Sequence, residues 1–377
     1  MARSIAIIGG NVAGLSAAHY LAEKGCRVTV YETKIWDKPC GGAISREFAQ
    51  YLNDHLDIRS AGADRPVRPV RCGFQKAPSV MLDGIFVITS RYHLQKDLIT
   101  RLKEHPNINI VFKQVSLSEA ALFTPQTVLA TGFSGLTRKI IQSEWHNREY
   151  ALIYKTQGHF DPEDGPGSHL LLFNSRIQGY GWIFLDHQGR FNMGTGGLLG
   201  RQALYKEYDR FRRNSIDHYH YSGLTPNSRP VIWKIPVALH PDRNRLAFKR
   251  GSTEFIGVGD VLGLAHPITA AGIEPAWQSG WLLAESYDPE QGQIDVNQYR
   301  LLLKENLRLT SRKPIDRLAA WMLRSVRFPI HERMAYVFLR LNRQSIYKSL
   351  ARYPWFARVH DGRQEVKVAT GIGKSLS

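Results

Sequence analysis

Residues 5–32 read IAIIGGNVAGLSAAHYLAEKGCRVTVYE. Ile5-Ala6-Ile7-Ile8 is a short continuous apolar run, the pattern of a strand buried on both faces. Gly9-Gly10-Asn11-Val12-Ala13-Gly14 makes a turn. From Leu15 to Lys24 apolar residues recur at helical spacing, and Gly25 is placed to stop the helix. Val28-Thr29-Val30-Tyr31 is a second strand, ended by Glu32. Strand, glycine turn, helix, strand and acid in that order spell a βαβ unit opening a dinucleotide site. Gly9 permits the tight turn, and Gly14 lets the helix pack closely on the sheet. Amide groups and the helix dipole at the helix start attract a pyrophosphate. Glu32 can accept hydrogen bonds from ribose hydroxyls. Asn11 stands where the fingerprint has its middle glycine. Asn tolerates unusual backbone angles better than most residues, so the sequence predicts a weakened site rather than none. The competing reading is a βαβ unit that binds nothing.

Outward from this stretch, 377 residues suffice for a large core and predict two or three domains. With 43% hydrophobic and 22% charged residues the chain belongs with globular rather than disordered proteins. No stretch reaches the unbroken apolar length of a membrane-crossing helix, and a cleavable signal peptide is not expected. Cys26, Cys40 and Cys72 lack metal-ligand spacing, so no metal is expected and a reduced, cytoplasmic protein fits best. The formal charge is +17, which favours an acidic partner. From Arg300 onward there are 17 Lys/Arg against 5 Asp/Glu, so most of the surplus sits in the last fifth. Anionic membrane and nucleic acid are both candidates for that face. No nucleic-acid recognition motif accompanies it, so nucleic acid is not expected.

Further along, Pro39-Cys40-Gly41-Gly42-Ala43-Ile44 is a loop that brings backbone close to something flat, with helix expected from Ser45 through Leu52. Its plain alternative is loop punctuation. Ser90-Arg91-Tyr92-His93 begins a helix running to about His105, and Arg91 in its first turn is misplaced for the helix dipole unless it meets an anion, a solvated arginine being the plain alternative. Ile108–Val111 is a strand, with Val115 just after it. Thr127-Val128-Leu129-Ala130-Thr131-Gly132 is a buried strand ending in a small-residue turn. These extend the parallel sheet. Between residues 149 and 250 alternating segments predict an antiparallel sheet in a separate domain. Within it, Tyr180, Trp182 and Phe184 alternate and share one face, which is either sheet core or the wall of an apolar ligand site. Phe255–Asp260 returns to the first sheet as a buried strand ending at an acid. Gly272 and Ile273 open a helix whose amides can stabilise negative charge on a reduced ring. Residues 295–356 read as basic amphipathic helices, suited to packing or to a membrane surface, and residues from about 364 as a loose tail.

The predicted architecture is α/β. A Rossmann-type FAD/NAD(P)-binding domain (1–60, 88–148, 250–290) carries an inserted antiparallel substrate domain (61–87, 149–249). A C-terminal helical region (291–363) and a tail (364–377) follow.

Several of these motifs together resemble the FAD-dependent geranylgeranyl reductase family, within the p-hydroxybenzoate hydroxylase-like flavoproteins, over roughly the first 290 residues. The turn with Glu32 looks like its FAD fingerprint, and Pro39-Cys40-Gly41-Gly42 like its PCGG motif. Tyr180-Gly181-Trp182-Ile183-Phe184 is similar to its YxWxF motif, with Leu185 where a proline usually follows. Gly259-Asp260 through Gly272-Ile273 looks like its GD…PxTGxG segment, with Ala270 and Ala271 as departures. The resemblance implies FAD held by Gly9, Gly10, Asn11, Val12, Ala13, Gly14, Glu32, Thr33, Lys34, Cys40, Gly41, Gly42, Ala43, Arg91, Val115, Ala130, Thr131, Gly132, Gly259, Asp260, Pro267, Gly272 and Ile273. It implies a catalytic Cys40 near the flavin and a prenyl chain held by Tyr180, Trp182 and Phe184. The implied reaction is hydride delivery to an isolated double bond. That reaction needs a proton donor, which the sequence does not identify. No second nucleotide fingerprint is visible, so ferredoxin or NADPH is the expected external electron donor. The expected location is cytoplasmic, peripheral at the membrane. Two other readings stand beside this one: a flavin monooxygenase or halogenase acting on an aromatic, since one fold serves many chemistries, and a flavin-less binding protein with an apolar cavity.

Overall fold

The computed structural model describes residues 4–307 apart from 75–78, 85, 121–122, 124, 142–149, 164, 175, 199, 237–245 and 267–269. Pro267 and the basic stretch beyond 307 therefore lie outside the described residues. No helix among the described residues is long and apolar enough to cross a membrane.

The opening stretch folds as its pattern dictates. Strand β1 (Ser4–Ile8) pairs in parallel with β2 (Arg27–Glu32), Ile7 beside Val30. Helix α1 (Val12–Glu23) joins them and begins three residues earlier than its apolar periodicity indicated. The order across this sheet is β15 (Ala247–Arg250), β16 (Thr253–Gly257), β8 (Gln126–Leu129), β1, β2 and β7 (Ile108–Phe112). All pairings are parallel except β15 with β16. The antiparallel edge strand β15 was not expected.

Around this sheet lie α2 (Arg46–Leu56), α3 (Arg91–Leu102), the short α4 (Leu117–Ala120) and α5 (Gly135–Ile141), α7 (Ile273–Glu285) and α8 (Val296–Asn306). Helix α1 is buried along most of its length, and α7 packs against it. A Cβ on Gly280 would stand 2.6 Å from the Ala13 carbonyl oxygen, so only glycine admits this close crossing. Ser16 Oγ donates to the Trp277 carbonyl at 2.6 Å, and Lys24 pairs with Glu285 at 3.2 Å near the far ends. Ala13 and Ala276, both near the helix starts, border the same point at Gly259, while Lys24 and Glu285 pair near the far ends. The starts of α1 and α7 therefore lie on the same side of the sheet.

The second sheet runs β13 (Thr225–Pro226), β9 (Tyr150–His159), β12 (Arg190–Gly197), β11 (Gly179–Leu185), β10 (His169–Asn174), β4 (Val70–Phe74) and β5 (Val80–Leu82), with β14 (Val231–Pro236) also on β9. It is not purely antiparallel: β4 enters from the first third of the chain and runs parallel to β10. Helix α6 (Arg201–Asp217) covers one face through Tyr208 and Phe211. The other face carries the alternating aromatics.

Two short pairs complete the description. β3 (Ala43–Ser45) pairs with β6 (Phe86–Ile88), and β17 (Tyr287–Asp288) with β18 (Gln293–Ile294). The helix expected from Ser45 starts at Arg46. Ser45 is its N-cap, with Oγ accepting from Phe48 N at 3.1 Å.

Candidate functional site

The glycine turn after β1 is fixed by close approach. Gly9 has φ 107°, and a Cβ there would stand 2.6 Å from the Ala130 carbonyl. A Cβ on Gly14 would overlap the Gly9 oxygen, so both glycines are required by the backbone beside them. Asn11 corrects the sequence reading. Its backbone is extended at φ −103°, ψ −173°, so nothing about the angles demanded a glycine. It is instead the N-cap of α1, its Oδ1 accepting from Val12 N at 2.9 Å.

The same Oδ1 accepts from Arg91 Nη2. Arg91 is 7% exposed, and its Nε has no hydrogen-bond partner among the described residues. A buried guanidinium with an orphan donor beside a helix start is the arrangement that an anion completes.

Glu32 lies under the turn. Its carboxylate accepts from Gly10 N at 2.8 Å, and from Thr33 N at 2.6 Å and Thr33 Oγ1 at 3.0 Å. Gln95 of α3, which the sequence did not single out, donates to the Gly10 carbonyl at 2.8 Å and reaches Glu32 at 3.4 Å. Lys34 is exposed.

Across the turn, Ala130 N donates to the Ile8 carbonyl at 2.8 Å. Thr131 Oγ1 shares a hydrogen bond with Thr137 at 2.6 Å. A Cβ on Gly132 would stand 3.4 Å from that of Asp260, and one on Gly272 would stand 3.8 Å from Asp260 Oδ1. A Cβ on Gly259 would press on Ala13 at 2.7 Å. Asp260 Oδ2 is paired with Lys38, another residue missed in the sequence. Gly272 is the N-cap position of α7 and Ile273 its first residue. Val115 packs in a cluster with Phe255 and with Ile8 and Leu129, the residues just before Gly9 and Ala130. Ala270 adopts φ 52°, a left-handed conformation that glycine takes without strain.

The Cys-Gly-Gly turn lies directly on the aromatic face of the second sheet. A Cβ on Gly41 would come within 2.7 Å of the Phe184 ring and 3.8 Å of Trp182 Nε1. Trp182 and Phe184 are buried in a cluster with Ile153, packed with Tyr180, Ala43, Phe86, Ile88 and Trp233. The face is thus neither pure sheet core nor open wall: it forms the seam between the second sheet and the turn. Phe86 packs edge-on to Phe184 and stacks on His169, with centroids 5.2 and 4.9 Å away. Burial holds His169 down at about 3, so its ring is neutral, and Nδ1 accepts from Leu185 N at 3.1 Å. Burial pushes the Tyr180 phenol well above its ordinary value.

Two donors from the second sheet close on the Cys40 carbonyl: Lys155 Nζ at 3.0 Å and Asn192 Nδ2 at 2.8 Å. Asn192 Oδ1 in turn accepts from Trp182 Nε1 at 2.8 Å. Neither Lys155 nor Asn192 was read from the sequence. The available signal was a lysine directly after the apolar run YALIY of β9. At the start of α7, Glu274 Oε1 accepts from Ser45 N at 2.5 Å, and desolvation by the surrounding protein raises its carboxyl to about 7.

The glycine turn, Arg91, Asp260 and the helix starts suit a dinucleotide, and the unpartnered Arg91 Nε fits its pyrophosphate. Comparison with known proteins agrees. Residues 7–60 match the NAD(P)-binding Rossmann-like domain family. Menaquinone reductase of Mycobacterium tuberculosis (strain H37Rv) is 26% identical over 329 residues, covering 75% of this chain and 76% of the relative. Digeranylgeranylglycerophospholipid reductase of Sulfolobus acidocaldarius is 22% identical over 329 residues, covering 75% and 68%. Among solved structures, a geranylgeranyl bacteriochlorophyll reductase-like protein from Thermoplasma acidophilum superposes with TM-score 0.65 at 19% identity, covering 86% of this chain and 88% of that one. A triple mutant of the flavin-dependent brominase Bmp2 gives 0.67 at 14%, covering 93% and 94%. The structural likenesses show the shared fold. In fold and in sequence the chain is thus similar to geranylgeranyl reductase-like flavoproteins, and its Rossmann-type site suits FAD.

Proposed function

We propose that the chain reduces a carbon–carbon double bond of a prenyl or similarly hydrophobic substrate. The observation that carries this reading is the seam itself: the Cys-Gly-Gly turn touches Phe184 and Trp182 with no side chain between them. A flat ring bordered by that turn would meet an apolar chain held by the aromatic wall. Reduced FAD supplies hydride when bound.

The chain's own residues hold and shape that site. The amides at the start of α1, together with Arg91, hold the pyrophosphate, and Glu32 meets the adenosine ribose. Asp260 would meet the ribityl chain, and the amides at the start of α7 would face the ring. Tyr180, Trp182 and Phe184 exclude water and grip the substrate. Cys40 would stand beside the ring. The names of the two reductases, one for menaquinone and one for digeranylgeranylglycerophospholipid, support a hydrophobic substrate. An external donor, ferredoxin or NADPH, reloads the flavin. The basic stretch beyond 307 brings the protein to an anionic membrane surface, where such substrates reside.

The brominase likeness favours a second reading, oxygen- or halogen-transfer to an aromatic on the same fold. Mass spectrometry of the product separates the two. The reductase reading expects a polyprenyl substrate to gain two hydrogens under anaerobic conditions with reduced holoprotein. A product that gains oxygen or halogen, with no gain of hydrogen, gives the second reading instead.

A further inference from the structure

Lys155 is 4% exposed, yet it lies on the aromatic side of the second sheet. On β9 it alternates with Ile153, which packs with Trp182 and Phe184, while Tyr154 between them packs on the opposite face against Tyr208. Strand register sets Leu171, Trp182, Gly194 and Lys155 in one row across four strands. A Cβ on Gly194 would come within 2.5 Å of the Trp182 ring, so its absence lets the indole lie over the sheet toward the lysine. Lys155 Nζ meets the Cys40 carbonyl, the atom that Asn192 ties back to Trp182. The ammonium thus stands where the ring-side turn and the aromatic wall join, and that bond uses one of its three donors.

We propose that Lys155 is the acid of this site, its Nζ giving the proton that completes reduction of the substrate's double bond. The assignment rests on the reductase reading. The hydride forms one carbon–hydrogen bond. The π pair of the double bond forms the other by taking a proton from Nζ as an N–H bond breaks. The lysine is left neutral and regains a proton from water, and the external donor restores the two electrons. The other titratable groups of the wall are poorer donors: the Tyr180 phenol is pushed up by burial, and the His169 ring carries no extra proton near neutrality. Burial lowers the Lys155 ammonium from its ordinary value, Asp37 and Cys40 raise it, and Arg91 lowers it. Burial outweighs the rest, so the proton leaves more readily than from an exposed lysine.

The test is anaerobic single turnover of the FAD-loaded protein, reduced with dithionite and mixed with a polyprenyl alkene. Lys155→Met is expected to take up FAD and be reduced as the parent is. Its reoxidation by substrate should slow by on the order of 100-fold or more. The parent's loss of rate as pH rises should be absent from this variant. Lys155→Arg keeps a donor for the Cys40 carbonyl but holds its proton, so it should be comparably slow. Asn192→Ala removes the other donor and should keep the alkaline fall. NMR titration of the Lys155 Cε, assigned with the Met variant and recorded without substrate, should show the same midpoint as the parent's rate. A Lys155→Arg protein as fast as the parent, an alkaline fall that survives in Lys155→Met, or a Cε midpoint away from the rate profile overturns the proposal alone. A parent that no polyprenyl alkene reoxidises overturns the reductase reading, and this assignment with it.

Discussion

At Gly41, one missing methyl group decides whether the ring-side turn can rest on the aromatic wall. The Phe184 ring already occupies the space a Cβ would need. Gly41→Ala should therefore destabilise the protein by about 1–3 kcal/mol, the usual cost of overpacking. Phe184→Leu in the same chain should recover part of the loss, because it vacates that volume. Denaturant titration of both single variants and the double variant reads the coupling. Strict additivity would mean that the turn and the wall are not in contact. Asn11 shows how a motif read by analogy misleads. The fingerprint asks for glycine there, but the backbone is extended and the side chain does the work of a cap. Pattern matching sees a departure, whereas the dihedral angles show no strain.

The elements carry the next level of the account, through the starts of α1 and α7. Asn11 Oδ1 holds both Val12 N and Arg91. Asn11→Ala should lower the urea midpoint by the equivalent of about 1 kcal/mol, a typical capping loss, with the slope unchanged. An unchanged midpoint would show that the cap is dispensable. At α7, Glu274 has a folded-state carboxyl raised to about 7 from 4.5 by desolvation. The folded state therefore holds this proton more tightly than the unfolded state does. Its stabilising contribution is complete below the unfolded value and disappears as pH rises through the folded one. Glu274→Gln has no proton to lose. Its stability relative to the parent should grow between about pH 4.5 and about pH 7, by on the order of 1 kcal/mol once solvent screening is allowed for. Parallel pH profiles for parent and variant would contradict this. Strand and helix types were legible along most of the described chain because hydrophobic period is local. The parallel entry of β4 beside β10 and the edge strand β15 were not, since each depends on pairings that periodicity does not encode.

On the scale of the whole molecule, the two sheets meet around the Cys-Gly-Gly turn. The parallel sheet brings the glycine turn, Asp260 and two helix starts to one side. The mixed sheet lays an aromatic face against the Cys-Gly-Gly turn. The glycine turn, Cys-Gly-Gly and the alternating aromatics could be read from the sequence because each is written in a few consecutive residues. Lys38, Lys155 and Asn192 could not. Their partners lie 222, 115 and 152 residues away, and only the fold brings them together. The central claim is that the glycine turn, Arg91, Asp260 and the Cys-Gly-Gly turn together hold FAD. The most direct measurement is the visible absorption of the purified protein before and after incubation with excess FAD and removal of the unbound cofactor. The account predicts a yellow protein carrying one flavin per chain, with a band that shifts when a long polyprenyl compound is added and does not shift in Trp182→Leu. A colourless protein that retains no FAD after that incubation would contradict it.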